Sequence, residues 1–395
     1  MPREIEITLI SILSSTGVAE RMLKEFETQY GVHVQLQKQA WSSAWGELVH
    51  YSIYRNAPDI SEVGSTWIGD LIGMNILRPF TQGEINALGG AQAFVPSAWN
   101  SGVSADGQVW AIPWLIDSRL LYYRRDILEK AGVDPATAFQ THEALVASLQ
   151  RLKQAGVEIP WATPTHKTRM NLHNAASWVW GAGGQFVSAD GKRTLFTTPE
   201  ALTGFRQYFE LGRFLSARAR ELDDVESDRL YWNGQVAVTL SGPWLLSEPS
   251  ADPQVIANTG VTFSPGVPFI GGSSLVVWQS SKSSRDALAL VRFLTSQHVQ
   301  STYLSTVGLL PARQEAFTTL SSTSNPVASF IRQGLQVGRS FPLFPLWGLV
   351  EERLSSALGI IWQKFLSNPE IDLAEQLELD LGLLAHRLDL ALNGR

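Results

Sequence analysis

The pattern that most constrains the fold lies at the start of the chain, where two alternating apolar segments flank a helical one. Apolar residues alternate with polar ones over 5–9, which predicts a strand, and recur about every four positions from Val18 to Tyr30, which predicts a helix. Gly31 ends that helix, and alternation resumes over 32–36. Strand, helix and strand in this order form a βαβ unit, so the sequence predicts a parallel sheet with a right-handed crossover.

Polar and aromatic residues follow the predicted strands of this sheet. In open α/β sheets, ligands bind beyond the carboxyl ends of the strands. A third short strand begins at Ala57-Pro58-Asp59-Ile60 and runs out into a loop that carries a tryptophan. The residues predicted to bind ligand at this edge are Ser14, Ser15, Trp41, Ser65 and Trp67. For Trp67, packing against the start of the next helix remains an alternative.

Length and composition limit the classes of protein. A chain of 395 residues is long for one hydrophobic core, which favours two domains. A hydrophobic content of 44% with 17% charged residues is typical of a globular protein. The net charge of -6 argues against general nucleic-acid affinity, which needs a basic face. The 14 tryptophans suit stacking on sugar rings or filling interfaces.

Cysteine and histidine usage argues against a metal or redox centre. With no Cys, the chain has no disulfide, thiolate nucleophile, iron–sulfur cluster or Cys-ligated zinc. The seven His show no metal-binding spacing. Tyr122 and Tyr123 are neighbours in a predicted strand, so their rings point to opposite faces and do not both reach one ion. We therefore predict neither a metal nor a cofactor.

Further motifs follow in order along the chain. The first begins at Ile112-Pro113, contains Asp117 and ends in an apolar strand over 120–123. The second is Trp180-Gly181-Ala182-Gly183-Gly184, and the third is a strand that ends in Gly242-Pro243-Trp244. The last two are Gly271-Gly272-Ser273 and Leu310-Pro311-Ala312-Arg313. In order and spacing they resemble the motifs of family 1 extracellular solute-binding proteins, the maltose-binding-protein-like carbohydrate receptors of ABC importers. One departure is Arg124, where the family's Leu-Tyr-Tyr-Asn strand ends in Asn.

The resemblance implies an α/β fold of the type II periplasmic-binding-protein class, a two-lobe clamshell whose discontinuous domains are joined by hinge segments. We place the crossings near Pro113, Pro265 and Arg313. The N-terminal lobe is then 1–112 with 265–312, and the C-terminal lobe is 113–264 with 313–395. Leucines repeat along a helix from Ile371, and this stripe is interpreted as core.

The resemblance also implies a ligand-binding set. Tryptophan faces bury apolar sugar rings, and polar side chains bond to hydroxyl groups. Two tryptophans two positions apart in a helix point about 200° apart, so at most one of the pair at 178 and 180 faces a given cleft. For His173 a purely structural role remains open. The ligand-binding residues predicted in this way are Asp117, Arg119, His173, Trp180, Trp244, Gly272, Ser273 and Arg313.

The function implied is that of the substrate-binding component of an ABC importer, which captures a sugar or small oligosaccharide in the interlobe cleft and closes around it. Its partners are then a carbohydrate and membrane permease subunits, with no nucleic acid, and the protein acts as a monomer. The implied location is the periplasm or the outer face of the cytoplasmic membrane. Met1-Pro2-Arg3 leads directly into a strand, so we expect any export signal to lie outside this sequence.

Two alternative functions would each need particular residues. A glycosidase needs two carboxylates about 5 to 9.5 Å apart. Asp117 offers one and Asp59 or Glu62 another, but the edge segments 14–17, 180–184, 241–244 and 271–274 contain no Asp or Glu. A metal-binding protein of the same fold is the other alternative. We predict binding without catalysis.

Overall fold

The computed structural model describes residues 3–10, 17–322, 326–335 and 337–394. Two of the predicted ligand-binding residues, Ser14 and Ser15, lie outside the described residues. The chain forms two compact units. The first is made of segments 1–117, 270–335 and 340–348, and the second of segments 118–269, 336–339 and 349–395.

The strands of the described chain are numbered in order. They are β1 (Arg3–Leu9), β2 (Val32–Lys38), β3 (Ile60–Gly64), β4 (Ile112–Ser118), β5 (Leu120–Arg124), β6 (Trp161–Ala162), β7 (Val238–Ser241), β8 (Thr259–Phe263), β9 (Ile270–Val277) and β10 (Leu310–Pro311).

The α-helices of the described chain are numbered in the same way. They are α1 (Val18–Tyr30), α2 (Trp41–Tyr54), α3 (Ile68–Gly73), α4 (Gln82–Ala87), α5 (Pro96–Asn100), α6 (Arg125–Lys130), α7 (His142–Gln154), α8 (Arg169–Gly181), α9 (Pro199–Glu210), α10 (Asp224–Trp232), α11 (Pro253–Ala257), α12 (Ser284–Leu294), α13 (Gln297–Thr302), α14 (Gln314–Ser322), α15 (Pro326–Gly334), α16 (Trp347–Ser367) and α17 (Leu373–Asn393).

The sheet of the first unit has the strand order β10-β4-β9-β3-β1-β2. β1 pairs in parallel with β2 and with β3, which confirms the parallel βαβ arrangement predicted from the opening of the chain. β9 enters from the later part of the chain and pairs antiparallel with β3. The carboxyl ends of β1, β2 and β3 therefore share one edge of this sheet.

A buried carboxyl group joins three strands of this sheet. Glu62 lies on β3 with no exposed surface. One of its oxygens accepts a hydrogen bond from the Ser273 hydroxyl on β9 at 2.6 Å, and the other accepts from the Ile10 amide after β1 at 2.8 Å. Ser273, predicted to bind ligand, is instead buried and bonded inside the sheet. The same bonds occupy Glu62, which had been considered as a catalytic carboxylate.

The sheet of the second unit has the order β6-β7-β5-β8, with β5 antiparallel to both of its neighbours. Tyr122 on β5 is fully buried, and its hydroxyl donates to the Gly242 carbonyl at 2.8 Å. Tyr123 packs instead against Phe139, with ring centroids 5.0 Å apart. The two tyrosines thus make separate contacts, as the alternation of side chains along a strand requires.

The two units differ from the predicted lobes at each boundary. Pro113 lies near the start of β4, a strand of the first sheet, so the chain leaves the first unit after Asp117. Residues 265–269 belong to the second unit, and 313–335 belong to the first. The later difference arises because α14 follows β10 directly and buries Ala316 and Phe317 within the first unit. Division of the chain into lobes that move separately stays a prediction.

The C-terminal helix α17 buries most of the leucine stripe predicted as core. Leu373, Leu377, Leu381 and Leu388 are buried, whereas Leu384 is half-buried. The face opposite this stripe carries further leucines that stay exposed.

We expect Glu62→Ala to lower the free energy of unfolding by about 3 kcal/mol, because it leaves the Ile10 amide and the Ser273 hydroxyl buried without this acceptor. Glu62→Gln keeps one acceptor oxygen and should lose less. Urea denaturation followed by circular dichroism measures both. Equal stability of Glu62→Ala and the parent would show that the carboxyl group does not hold the strands together.

Candidate ligand-binding edges

An aromatic cluster forms at the carboxyl end of β3 in the first unit. The strand runs directly into a 3-10 turn over Ser65–Trp67. The Trp67 ring lies 5.4 Å from that of Trp41 and 5.8 Å from that of Trp45, between ring centroids. Trp41 begins α2 and is 46% exposed, whereas Trp67 is 3% exposed within the core. Trp41 therefore presents an indole surface at the edge, and Trp67 supports it from below.

The other predicted residues of the first unit divide into accessible and structural ones. Ser65 and Asp117 are half-buried, the latter near the end of β4. Arg313 donates to the carbonyls of Leu88 and Thr295 at 3.3 Å, and its guanidinium lies 5.7 Å from the Phe94 ring centroid. These contacts favour a structural role for Arg313, and its assignment as a ligand-binding residue stays a prediction.

The structure also favours a structural role for Gly272, whose assignment as a ligand-binding residue stays a prediction. Its φ of +148° is rarely adopted by other residues. A Cβ atom at this position would lie 2.0 Å from the Leu115 carbonyl oxygen of β4. The glycine is thus explained by the close approach of two strands.

In the second unit, Trp244 is fixed by three neighbours. It follows β7 in a 3-10 turn over Pro243–Ser247 and is half-buried. A Cβ at Gly242 would lie 2.2 Å from its ring, so the indole packs directly on that glycine. The Arg119 guanidinium lies 4.9 Å from the ring centroid, a cation–π contact. The indole Nε1 donates to Oδ2 of Asp228 at 2.9 Å.

Two acidic residues of α10 belong to this edge. Burial raises the pKa of Asp228 to about 7, against the hydrogen bonds from Ser241 and Trp244, which lower it. Burial also raises the pKa of Asp224, one turn earlier, while the hydrogen bond from Thr168 and the charge of Arg119 lower it. Sequence analysis missed both residues. Their spacing of four positions on a helix just before the Gly-Pro-Trp motif was the available signal.

His173 and Trp180 lie on α8 and are held by packing. The Nε2 atom of His173 is 2.9 Å from Oε1 of the fully buried Glu351, whose other oxygen is 3.6 Å from Nε of Arg169. The His173 ring stacks on Phe269 at 4.7 Å. These contacts favour the structural role that was left open for His173.

Trp180 is packed within the second unit, and its predicted contact with a ligand stays a prediction. It is 5% exposed, and its ring packs edge-on against Phe186 and parallel to Phe269. Nearness to the glycines after α8 suggested an open edge, but almost the whole helix is buried.

Two features are absent from the described part of the chain, a metal-binding cluster and a candidate membrane-spanning helix. None of its His, Asp and Glu residues form a group of three or more placed to hold a metal ion. None of the helices in the same residues is long and apolar enough to cross a bilayer.

Comparison with known proteins places the chain among binding proteins. A family profile described as bacterial extracellular solute-binding protein matches residues 21–328. A similar curated protein is the diacetylchitobiose binding protein DasA of Streptomyces coelicolor, which is 23% identical over 350 residues, covering 84% of this chain and 77% of that protein.

Solved structures share the fold. A solute-binding protein of an ABC transporter from Thermotoga lettingae, bound with α-D-tagatose, superposes with a TM-score of 0.83 at 21% identity, covering 99% of this chain and 100% of that one. Maltose-bound MalE3 of T. maritima gives 0.82 at 19% identity, covering 96% and 99%. The predicted fold class, α/β and two-lobed of type II, is confirmed.

We expect Asp228→Asn to stabilise the protein at pH 8 by on the order of a few kcal/mol and to have little effect near pH 4. The native pKa of Asp228, about 7, lies above the value of 3.8 for an exposed Asp. The native state therefore binds more protons than the unfolded state between these values, and stability falls as pH rises through this window. Asn stays neutral and keeps an acceptor for Trp244.

Calorimetric Tm values at pH 4 and pH 8 measure this difference. As a control, Asp106→Asn alters an exposed carboxylate whose pKa is lowered by the Ser104 hydroxyl and the Gln108 amide, so it should not stabilise at pH 8. A parallel pH dependence of Asp228→Asn and the parent contradicts the interpretation.

Proposed function

Because the chain belongs to the bacterial extracellular solute-binding protein family, as its motifs predicted, we propose that it binds a sugar or small oligosaccharide for an ABC importer. The main observation in favour of a sugar is the edge of the second unit, where the half-buried Trp244 indole contacts Arg119 and Asp228. Sugars present apolar ring faces that stack on aromatic surfaces, and Arg119 and Asp228, both buried, hold the Trp244 indole in place for such stacking.

The first unit supplies the same combination. Trp41 offers an exposed indole, and Ser65 and Asp117 offer half-buried polar groups. With Trp244 of the second unit, these are the accessible residues of the predicted set that we still propose as ligand contacts. Arg119 is 2% exposed, so we propose that it acts by positioning the Trp244 ring. Among relatives, DasA is named for diacetylchitobiose, and the Thermotoga structures contain tagatose and maltose. These names support a carbohydrate without selecting one.

The same family membership supports the proposed setting. The relatives are named as binding proteins, among them a probable ABC transporter-binding protein and a periplasmic protein. We therefore propose that the protein works outside the cytoplasmic membrane and delivers its ligand to permease subunits. Closure of the two units on the ligand is part of this proposal.

Binding without catalysis is proposed on two grounds. The relatives are substrate-binding proteins. The two acidic residues found at the second-unit edge, Asp224 and Asp228, come from one turn of one helix, and Asp228 already accepts the Trp244 indole. Glycosidases instead hold their carboxylates on opposite sides of the scissile bond.

Isothermal titration of the purified protein with tagatose, maltose, diacetylchitobiose and larger oligosaccharides tests the function. We expect saturable binding of at least one, with ligand recovered intact by chromatography after long incubation. Sustained cleavage that survives repurification would contradict binding without catalysis. Binding of sn-glycerol-3-phosphate, for which several relatives are named, with no response to any sugar would contradict the carbohydrate assignment.

We expect Trp244→Ala to weaken sugar binding by about 2 kcal/mol, roughly 30-fold in Kd, because a positioned aromatic contact is lost. Trp244→Phe keeps an aromatic ring but loses the bond to Asp228, so it should lose less. Trp110→Phe is the matched control, since this half-buried indole donates to Ser104 at 3.0 Å outside the candidate edges. Titration with the best ligand measures all three. Normal binding by Trp244→Ala, with normal folding, would remove this residue from the site.

A further inference from the structure

The outer face of α17 carries an apolar stripe that the proposed function does not use. Leu379, Leu383 and Leu390 are 57%, 57% and 65% exposed. With the exposed His386, they are spaced by four, three and four residues, which is the spacing of the contact positions in a coiled coil. The stripe extends about 16 Å along the helix at 1.5 Å per residue. It is therefore shaped to receive another helix.

Charges beside this stripe are arranged with opposite signs at its two ends. Glu375 and Glu378 are exposed towards the start of α17, and Arg387 is exposed towards its end. Within the described residues, none of the three forms an ion pair. The first half of α17 thus presents two exposed acidic residues and is called the acidic half. The second half presents one exposed basic residue, Arg387, and is called the basic half; Asp389 in this half is half-buried and accepts hydrogen bonds from Thr194.

The order of these charges along α17 favours a second copy of the same helix as the partner of this surface. If a second α17 lies antiparallel on the first, the acidic half of each helix meets the basic half of the other, and the helix dipoles also oppose favourably. A parallel pairing sets like charges together. An anionic bilayer is disfavoured because the charged residues beside the stripe are mainly acidic, whereas surface-binding helices are rich in Lys and Arg.

We propose that α17 is a self-association surface, on which two copies of the chain pair antiparallel about a two-fold axis near Leu383. Such an interface is isologous, since the same patch serves both copies. Three leucines per copy make a contact smaller than those of stable dimers. We therefore expect the monomer to prevail in dilute solution and the dimer to form at high local concentration.

Sedimentation equilibrium from about 10 µM to 1 mM tests the surface, since this range covers weak dissociation constants. The parent should increase in mean mass with concentration. Leu383→Glu should remain monomeric, while Ile53→Glu, which alters a 67% exposed residue of α2, should behave like the parent. A parent that stays monomeric throughout, or equal effects of the two variants, overturns the proposal. So does binding to phosphatidylglycerol vesicles without self-association.

A charge exchange tests the antiparallel arrangement. Glu378→Arg and Arg387→Glu should each weaken the dimer by about fivefold, because each places like charges together, and the double variant should restore it. Failure of the double variant to recover association overturns the antiparallel pairing. Sugar titration of the same proteins should be unchanged, so this result is independent of the proposed function.

Discussion

The first unit depends on the insertion of β9 between β3 and β4. This strand comes from residues more than 200 positions after β3, yet it forms the centre of the sheet. Its place is fixed from both sides, by the bond of Ser273 to the buried Glu62 and by the approach of Gly272 to the Leu115 carbonyl. Because the carboxyl group of Glu62 also accepts a hydrogen bond from the Ile10 amide, the end of β1 is tied to this distant strand.

The same physical rule operates in the second unit. A polar group removed from water must find a partner, so a buried acceptor or donor fixes the geometry of its neighbours. The Tyr122 hydroxyl holds the Gly242 carbonyl, and Asp228 holds the Trp244 indole that packs on Gly242. The turn that presents Trp244 is therefore determined by residues that lie behind it rather than by its own sequence.

Local sequence patterns were sufficient to predict the opening strands and helix and the family. They were not sufficient to predict which side chains stay accessible to a ligand. The alternation of 5–9 and the four-residue repeat of α1 report burial directly, so they predicted β1 and α1 well. Trp180, Ser273 and Arg313 match family motifs equally well, yet long-range partners bury or engage them. Phe269 and Glu62 are such partners, and each is distant in sequence. A motif shows which residue is present, whereas its accessibility depends on residues elsewhere in the chain.

We expect Trp244 and Trp41 to contribute unequally to binding, because buried polar partners fix the orientation of only one of them. Trp244 is held on the ring by Arg119 and at the indole nitrogen by Asp228, so its orientation is set before a ligand arrives. Trp41 is nearly half exposed. Ordering a side chain on binding costs about 0.5 to 1.5 kcal/mol. Trp244, whose indole nitrogen is hydrogen-bonded, should incur less of this cost than Trp41, whose contacts are packing on Gly64 and Trp67. The buried carboxyl group of Asp228, which we expect to destabilise the fold as pH rises through its raised pKa, is thus also the group that orients the Trp244 indole.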